Sequence, residues 1–121
     1  MNNVLVTVRK NSWEPYDRLY VSDTYWTEDD DLSPSSFIID MPITETDDIT
    51  IKLEDGAAFR ISKKQSLNDV THKYWSITMV VPPLVRCELS FAGKGYSDSL
   101  RSYSHVRHVW INGKDVVPIE K

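Results

Sequence analysis

Alternation with a period of two runs through most of this 121-residue chain, and it restricts the fold more than any other feature. In "DDITIKLED", Ile49, Ile51 and Leu53 fall on one side of an extended backbone and Thr50, Lys52 and Glu54 on the other, as in a strand with one buried face. The same rule assigns inward faces to Val4, Val6 and Val8, to Leu19 and Val21, to Phe37, Ile39, Met41 and Ile43, and to Phe59 and Ile61. Trp75, Ile77, Met79 and Val81 alternate in "YWSITMVVPP", and Val85, Cys87, Leu89 and Phe91 in "VRCELSFAG". Pro82 and Pro83 stand between these two runs and cannot donate to a ladder, so they end the first. Ile51, Trp75, Ile77 and Leu89 are expected in the core.

Turn chemistry agrees with strands. "VWINGKDVV" sets Asn112-Gly113 between two strand-like runs, and both residues tolerate the positive φ of a type I′ hairpin turn. "LEDGAAF" predicts a slightly longer connection at Asp55-Gly56. The one helix-like opening is "KKQSLNDVTHK", where Ser66 can cap a single turn with Asp69 three residues on. About eight or nine short strands, with turns roughly every 8 to 12 residues, predict an all-β chain: an antiparallel β-sandwich of Greek-key or jelly-roll type, with a partly open barrel as the second choice. Residues 1–121 are expected to form one domain, since the length and an apolar share of 40% supply one ordinary core.

No apolar run approaches the roughly 18 residues needed to cross a bilayer, and the charged pair Arg9-Lys10 interrupts what a secretory leader would need. The mature chain is therefore expected to begin at Met1. A single cysteine, Cys87, excludes an intramolecular disulfide framework and a multi-thiolate zinc site. Cytoplasm is the expected compartment.

Catalytic and metal chemistry find little support. In "HVRH", His105 and His108 are three apart, and an odd spacing on a strand points two side chains to opposite faces, so with His72 they do not make a zinc site. No serine sits in a nucleophile elbow, and Cys87 lies at an inward strand position where a thiol behaves as a small hydrophobe. "AGKGYSDS" has two glycines and a lysine without the spacing of a phosphate loop, and reads as a hairpin loop. No carboxylate pair stands out for glycoside hydrolysis. The expectation is a non-enzymatic protein without cofactor or resident metal.

Charge is distributed unevenly. "TEDDDLSPSSF", residues 27–37, sets Glu28, Asp29, Asp30 and Asp31 before a Ser/Pro turn. Residues 23–55 hold eleven acids against the single base Lys52, net −10, while residues 56–121 are net +5 and residues 1–22 net +1. Three adjacent aspartates alternate in direction and lack the glycine of an EF-hand, although a looser calcium site using Asp29 or Asp31 stays open. Such a block can be a solvated face that discourages edge-to-edge pairing. It can also be a docking surface, built from Glu28, Asp29, Asp30, Asp31, Glu45, Asp47 and Asp48, for a basic protein partner. That function is a small inhibitor or immunity-type protein of bacterial or phage origin. The alternative is a lectin-like sandwich in which Trp13, Tyr16, Tyr25 and Trp26 form an aromatic platform for sugar rings, with calcium as an aid. Net charge disfavours direct nucleic-acid binding, although Lys94, Arg101, Arg107 and Lys114 could form a modest basic patch.

Overall fold

The computed structural model describes residues 3–10, 14–26, 32–65, 73–91 and 98–117, with the backbone alone described at 3, 10, 23–26, 32–38 and 91. Every regular element among them is a strand: β1 (Asn3–Lys10), β2 (Asp17–Trp26), β3 (Leu32–Ile43), β4 (Ile49–Leu53), β5 (Ala58–Gln65), β6 (Lys73–Val81), β7 (Cys87–Phe91), β8 (Asp98–Ser102), β9 (Val106–Ile111) and β10 (Lys114–Asp115). They form two antiparallel five-stranded sheets, ordered β3-β2-β1-β8-β7 and β10-β9-β4-β5-β6. The all-β sandwich expected from the alternation is the observed architecture. No helix among the described residues is long and apolar enough to cross a membrane. The helical turn expected at Ser66 and Asp69 lies outside the described residues.

The chain builds three strands of one sheet, crosses to build three of the other, returns for β7 and β8, and crosses again for β9 and β10. Val4, Val6, Val8, Leu19, Val21, Ile39 and Ile43 from the first sheet meet Ile49, Ile51, Leu53, Phe59, Ile61, Trp75 and Ile77 from the second in one buried cluster. Burying a side chain of this size stabilises by about 1.5 to 3 kcal/mol, which is why alternation alone can sort the faces. Polar contacts also clasp the sheets. Asp17 on β2 accepts a hydrogen bond from Lys63 Nζ on β5 at 2.7 Å and another from Trp75 Nε1 on β6.

Both expected hairpin turns are present. Asn112 and Gly113 have φ of 53° and 83°, the paired left-handed conformation of a type I′ turn between β9 and β10. Gly56, at φ 95°, joins β4 to β5; the space around it is open, so it is the backbone conformation that favours glycine there.

Two expectations need correction. Ser33 and Pro34 are not a turn: they belong to β3, with Thr24 opposite Pro34 and register shifts in the pairing with β2. β3 is an edge strand, where a residue without an N–H is tolerated and a shifted register absorbs it. Leu89 is not in the core but 41% exposed, and Met79, Val81 and Val85 are likewise exposed. Leu89 stands opposite buried Leu100 in the β7–β8 ladder and Met79 opposite buried Phe59, so both keep the inward side, whereas a register shift at Ala58 and Phe59 sets Val81 opposite Ala58, on the outer face. What Leu89 and Met79 lack is cover, because β6 and β7 are the outermost strands of their sheets and the sandwich is open where they end.

Candidate functional site

The turn from β3 to β4 carries three of the acids expected to dock a partner, and the structure binds each of them to the fold. Asp47 Oδ2 accepts from Thr44 N at 2.8 Å and Asp47 Oδ1 from Asn112 Nδ2 at 3.0 Å. Asn112 Oδ1 in turn accepts from Asp48 N at 2.9 Å, and Asn112 N donates to Asp48 O at 2.8 Å. The residue that makes the β9–β10 turn therefore also fixes the acidic turn. Asp48 pairs with Arg60 at 2.9 Å and Glu45 with Lys73 at 3.2 Å. A further acid of the same segment, Asp40, meets Arg18 at 2.7 Å. Bases from β2, β5 and β6 thus neutralise much of this acidic segment where it is described.

Glu28, Asp29, Asp30 and Asp31 lie outside the described residues, between the paired strand ends Trp26 and Leu32. Of the aromatic platform, Trp13 also lies outside them, Tyr25 and Trp26 are described by their backbone in β2 alone, and Tyr16 is half-buried just before β2. Of the four side chains, Tyr16 alone is among those described. For the basic patch, Lys94 is outside the described residues and Arg101 is tied to Glu88 at 3.7 Å.

His105 and His108 stay apart in role. His105 is exposed in the loop before β9, with its carbonyl accepting from Glu54 N, whereas His108 stacks on Trp110 at 4.8 Å between ring centroids and bonds Asp115 through Nδ1. Burial pushes the Asp115 carboxyl up, but hydrogen bonds from His108 and Val117 N outweigh it and hold the carboxyl below its ordinary range. His72 lies outside the described residues. Among the described residues, no three of His, Cys, Asp and Glu gather as metal ligands.

A different surface emerges at the corner where β6 and β7 end. Met79, Val80, Val81, Leu84, Val85 and Leu89 are the large apolar residues exposed there, Leu84 by 85%. Strand parity had placed four of them inside; Val80 and Leu84 carried no signal of their own. The corner is held in shape by one carboxylate. Asp55 Oδ2 accepts from both Leu84 N and Val85 N at 3.0 Å, and Asp55 Oδ1 from Ala57 N at 3.1 Å. Burial pushes Asp55 up, and the amides of Val85, Ala57 and Leu84 more than reverse it, so the carboxyl sits below its ordinary range. Across the gap between sheets, Asp98 Oδ2 on β8 accepts from Ile77 N on β6 at 3.1 Å and ties the two edges together.

Cys87 packs against the core at this corner. Burial first, then the negative charges of Asp55 and Glu88, push its thiol up. Such a thiol is a poor nucleophile at neutral pH. No protein-family model, curated protein or solved structure matches the chain.

Proposed function

We propose that this chain is a non-enzymatic protein-binding module whose contact surface is the β6–β7 corner. The observation that carries this is that Met79, Val80, Val81, Leu84, Val85 and Leu89, the exposed large apolar residues among those described, all fall within residues 79–89, on β6, β7 and the loop between them that Asp55 fixes. Contiguous exposed apolar side chains on a folded chain mark contact surfaces, and single ones do not. A loop already held in shape loses less conformational freedom on binding. The test is retention of a defined protein partner by the immobilised chain, confirmed with purified components by calorimetry. Leu84→Asp should abolish it and leave the far-UV spectrum unchanged; retention unaffected by Leu84→Asp and Val81→Lys would refute the proposal.

The net −10 of residues 23–55 favours a second surface, on which an inhibitor or immunity-type protein would meet a basic partner. Because Glu45 and Asp48 are paired within the fold, that surface depends on Glu28, Asp29, Asp30 and Asp31. Asparagine at Asp29, Asp30 and Asp31 should then weaken binding and reduce its salt dependence.

A further inference from the structure

We infer that the occupant of the β6–β7 corner is a second copy of this chain, paired antiparallel along β7 about a two-fold axis at Cys87. The inference rests on the corner being a contact surface, as proposed above, and adds the partner and the register.

Among the described residues, no strand pairs with the outer side of β7. β7 is bonded to β8 on one side and is the last strand of its sheet. Tyr103 N donates to Arg86 O at 3.3 Å, so by the alternation of an antiparallel ladder the N–H and C=O groups of Cys87 and Leu89 turn to the open side. An edge of this kind is a template for another strand.

Charge selects one register among those a two-fold axis allows. An axis at Arg86 sets Arg86 against the partner's Arg86, and an axis at Glu88 sets acid against acid. An axis at Leu89 leaves Glu88 facing a serine and Arg86 facing an alanine. An axis at Cys87 places Arg86 opposite the partner's Glu88 twice, once on each side, and sets Val85 against the partner's Leu89. Arg86 is 72% exposed at its side chain, and within one chain it bonds Glu88, which Arg101 also meets from β8, so the two copies would set four alternating charges side by side with Arg101 beside each Glu88. A two-fold contact must be self-complementary in this way. The apolar side chains have no like-charge obstacle to meeting, since no residue from Tyr74 to Val85 is charged.

The decisive experiment is sedimentation equilibrium of the full chain and of two single variants, Arg86→Glu and Glu88→Arg, alone and mixed. Wild type should be a dimer when concentrated and dissociate on dilution. Each variant alone sets like charges opposite and should raise the dissociation constant about tenfold or more, while an equimolar mixture of the two restores complementary pairs and the wild-type constant. Amide exchange at Cys87 and Leu89 of the unsubstituted chain should slow as it dimerises. This second measurement stands even where a charge variant fails to fold.

A monomer at every concentration, a dimer indifferent to both reversals, a mixture that does not recover, or exchange at Cys87 and Leu89 that does not slow on concentration would overturn the inference. Should wild type be monomeric while Leu84→Asp still abolishes binding of a different protein, the second copy falls and the protein-binding function stands. Should neither self-association nor any Leu84-dependent binding occur, both fall.

Discussion

β3 carries Pro34 and Pro42, shifts register against β2, and has Asp40 tied to Arg18 on its neighbour. β6 and β7, at the edges of the two sheets on the far side, hold no proline within either strand, and from Tyr74 to Val85 there is no charge at all. Prolines, irregular register and charge are the devices by which a sheet edge avoids meeting another. One fold thus contains an edge that carries prolines and a paired charge within its strand, and a corner where β6 from Tyr74 onward carries neither and has only the register shift against β5 at Ala58 and Phe59. The contrast teaches that exposure here is local and directional, a surface at one edge pair and not a generally apolar exterior.

The largest effect that can break this contrast is in the core beneath it. Ile77 and Leu89 both hold inward positions, but Ile77 is buried and Leu89 open. Ile77→Ala should cost about 2 to 5 kcal/mol in denaturant melts of dilute protein, and Leu89→Ala less than about 1 kcal/mol. Equal losses would mean that the corner is sealed. The polar clasp comes next: Asp17→Ala strands Lys63 Nζ and Trp75 Nε1, largely covered between the sheets, at about 1 to 3 kcal/mol.

How far the sequence speaks differs between these places. Ile49, Ile51 and Leu53 were legible because parity alone decides a strand covered on one face, and Asn112-Gly113 because two positive φ angles demand those residues. Parity names the side of a sheet and not whether another layer reaches over it, so Met79 and Leu89 were assigned correctly by side and wrongly by burial, while the register shift at Ala58 and Phe59 sets Val81 opposite Ala58 and turns it to the outer face. The acidic segment is legible only in part, for a related reason. Arg18, Arg60 and Lys73, which meet Asp40, Asp48 and Glu45, come from strands 12 to 28 residues away, and a linear charge count cannot see that pairing. Asp55 looked like one more acid of the block, when it is the carboxylate on which the exposed loop hangs.

Asp55 gives the corner a pH dependence. Its folded carboxyl lies below the unfolded value of about 3.9, so its contribution is complete above that value and is lost as pH falls through the folded one. Asp115 follows the same sign. These two carboxylates should leave stability unchanged between about pH 7 and pH 5 and weaken it below about pH 4, with Asp55→Asn flattening part of the acid loss. An unaltered acid limb in that variant would show that Asp55 does not hold the loop. The smallest effect belongs to the acidic turn. Asp48→Asn removes a surface pair with Arg60 and should change stability by no more than about 0.5 kcal/mol, read by thermal melts.

The most direct measurement is amide hydrogen exchange followed along both edges as the protein is concentrated. If the β6–β7 corner is a contact surface between copies, exchange at Cys87 and Leu89 should slow with concentration by mass action, while the amides of β3 keep one rate throughout. Exchange at Cys87 and Leu89 that is as fast in concentrated protein as in dilute, or slowing that appears equally along β3, would contradict the distinction between the two edges.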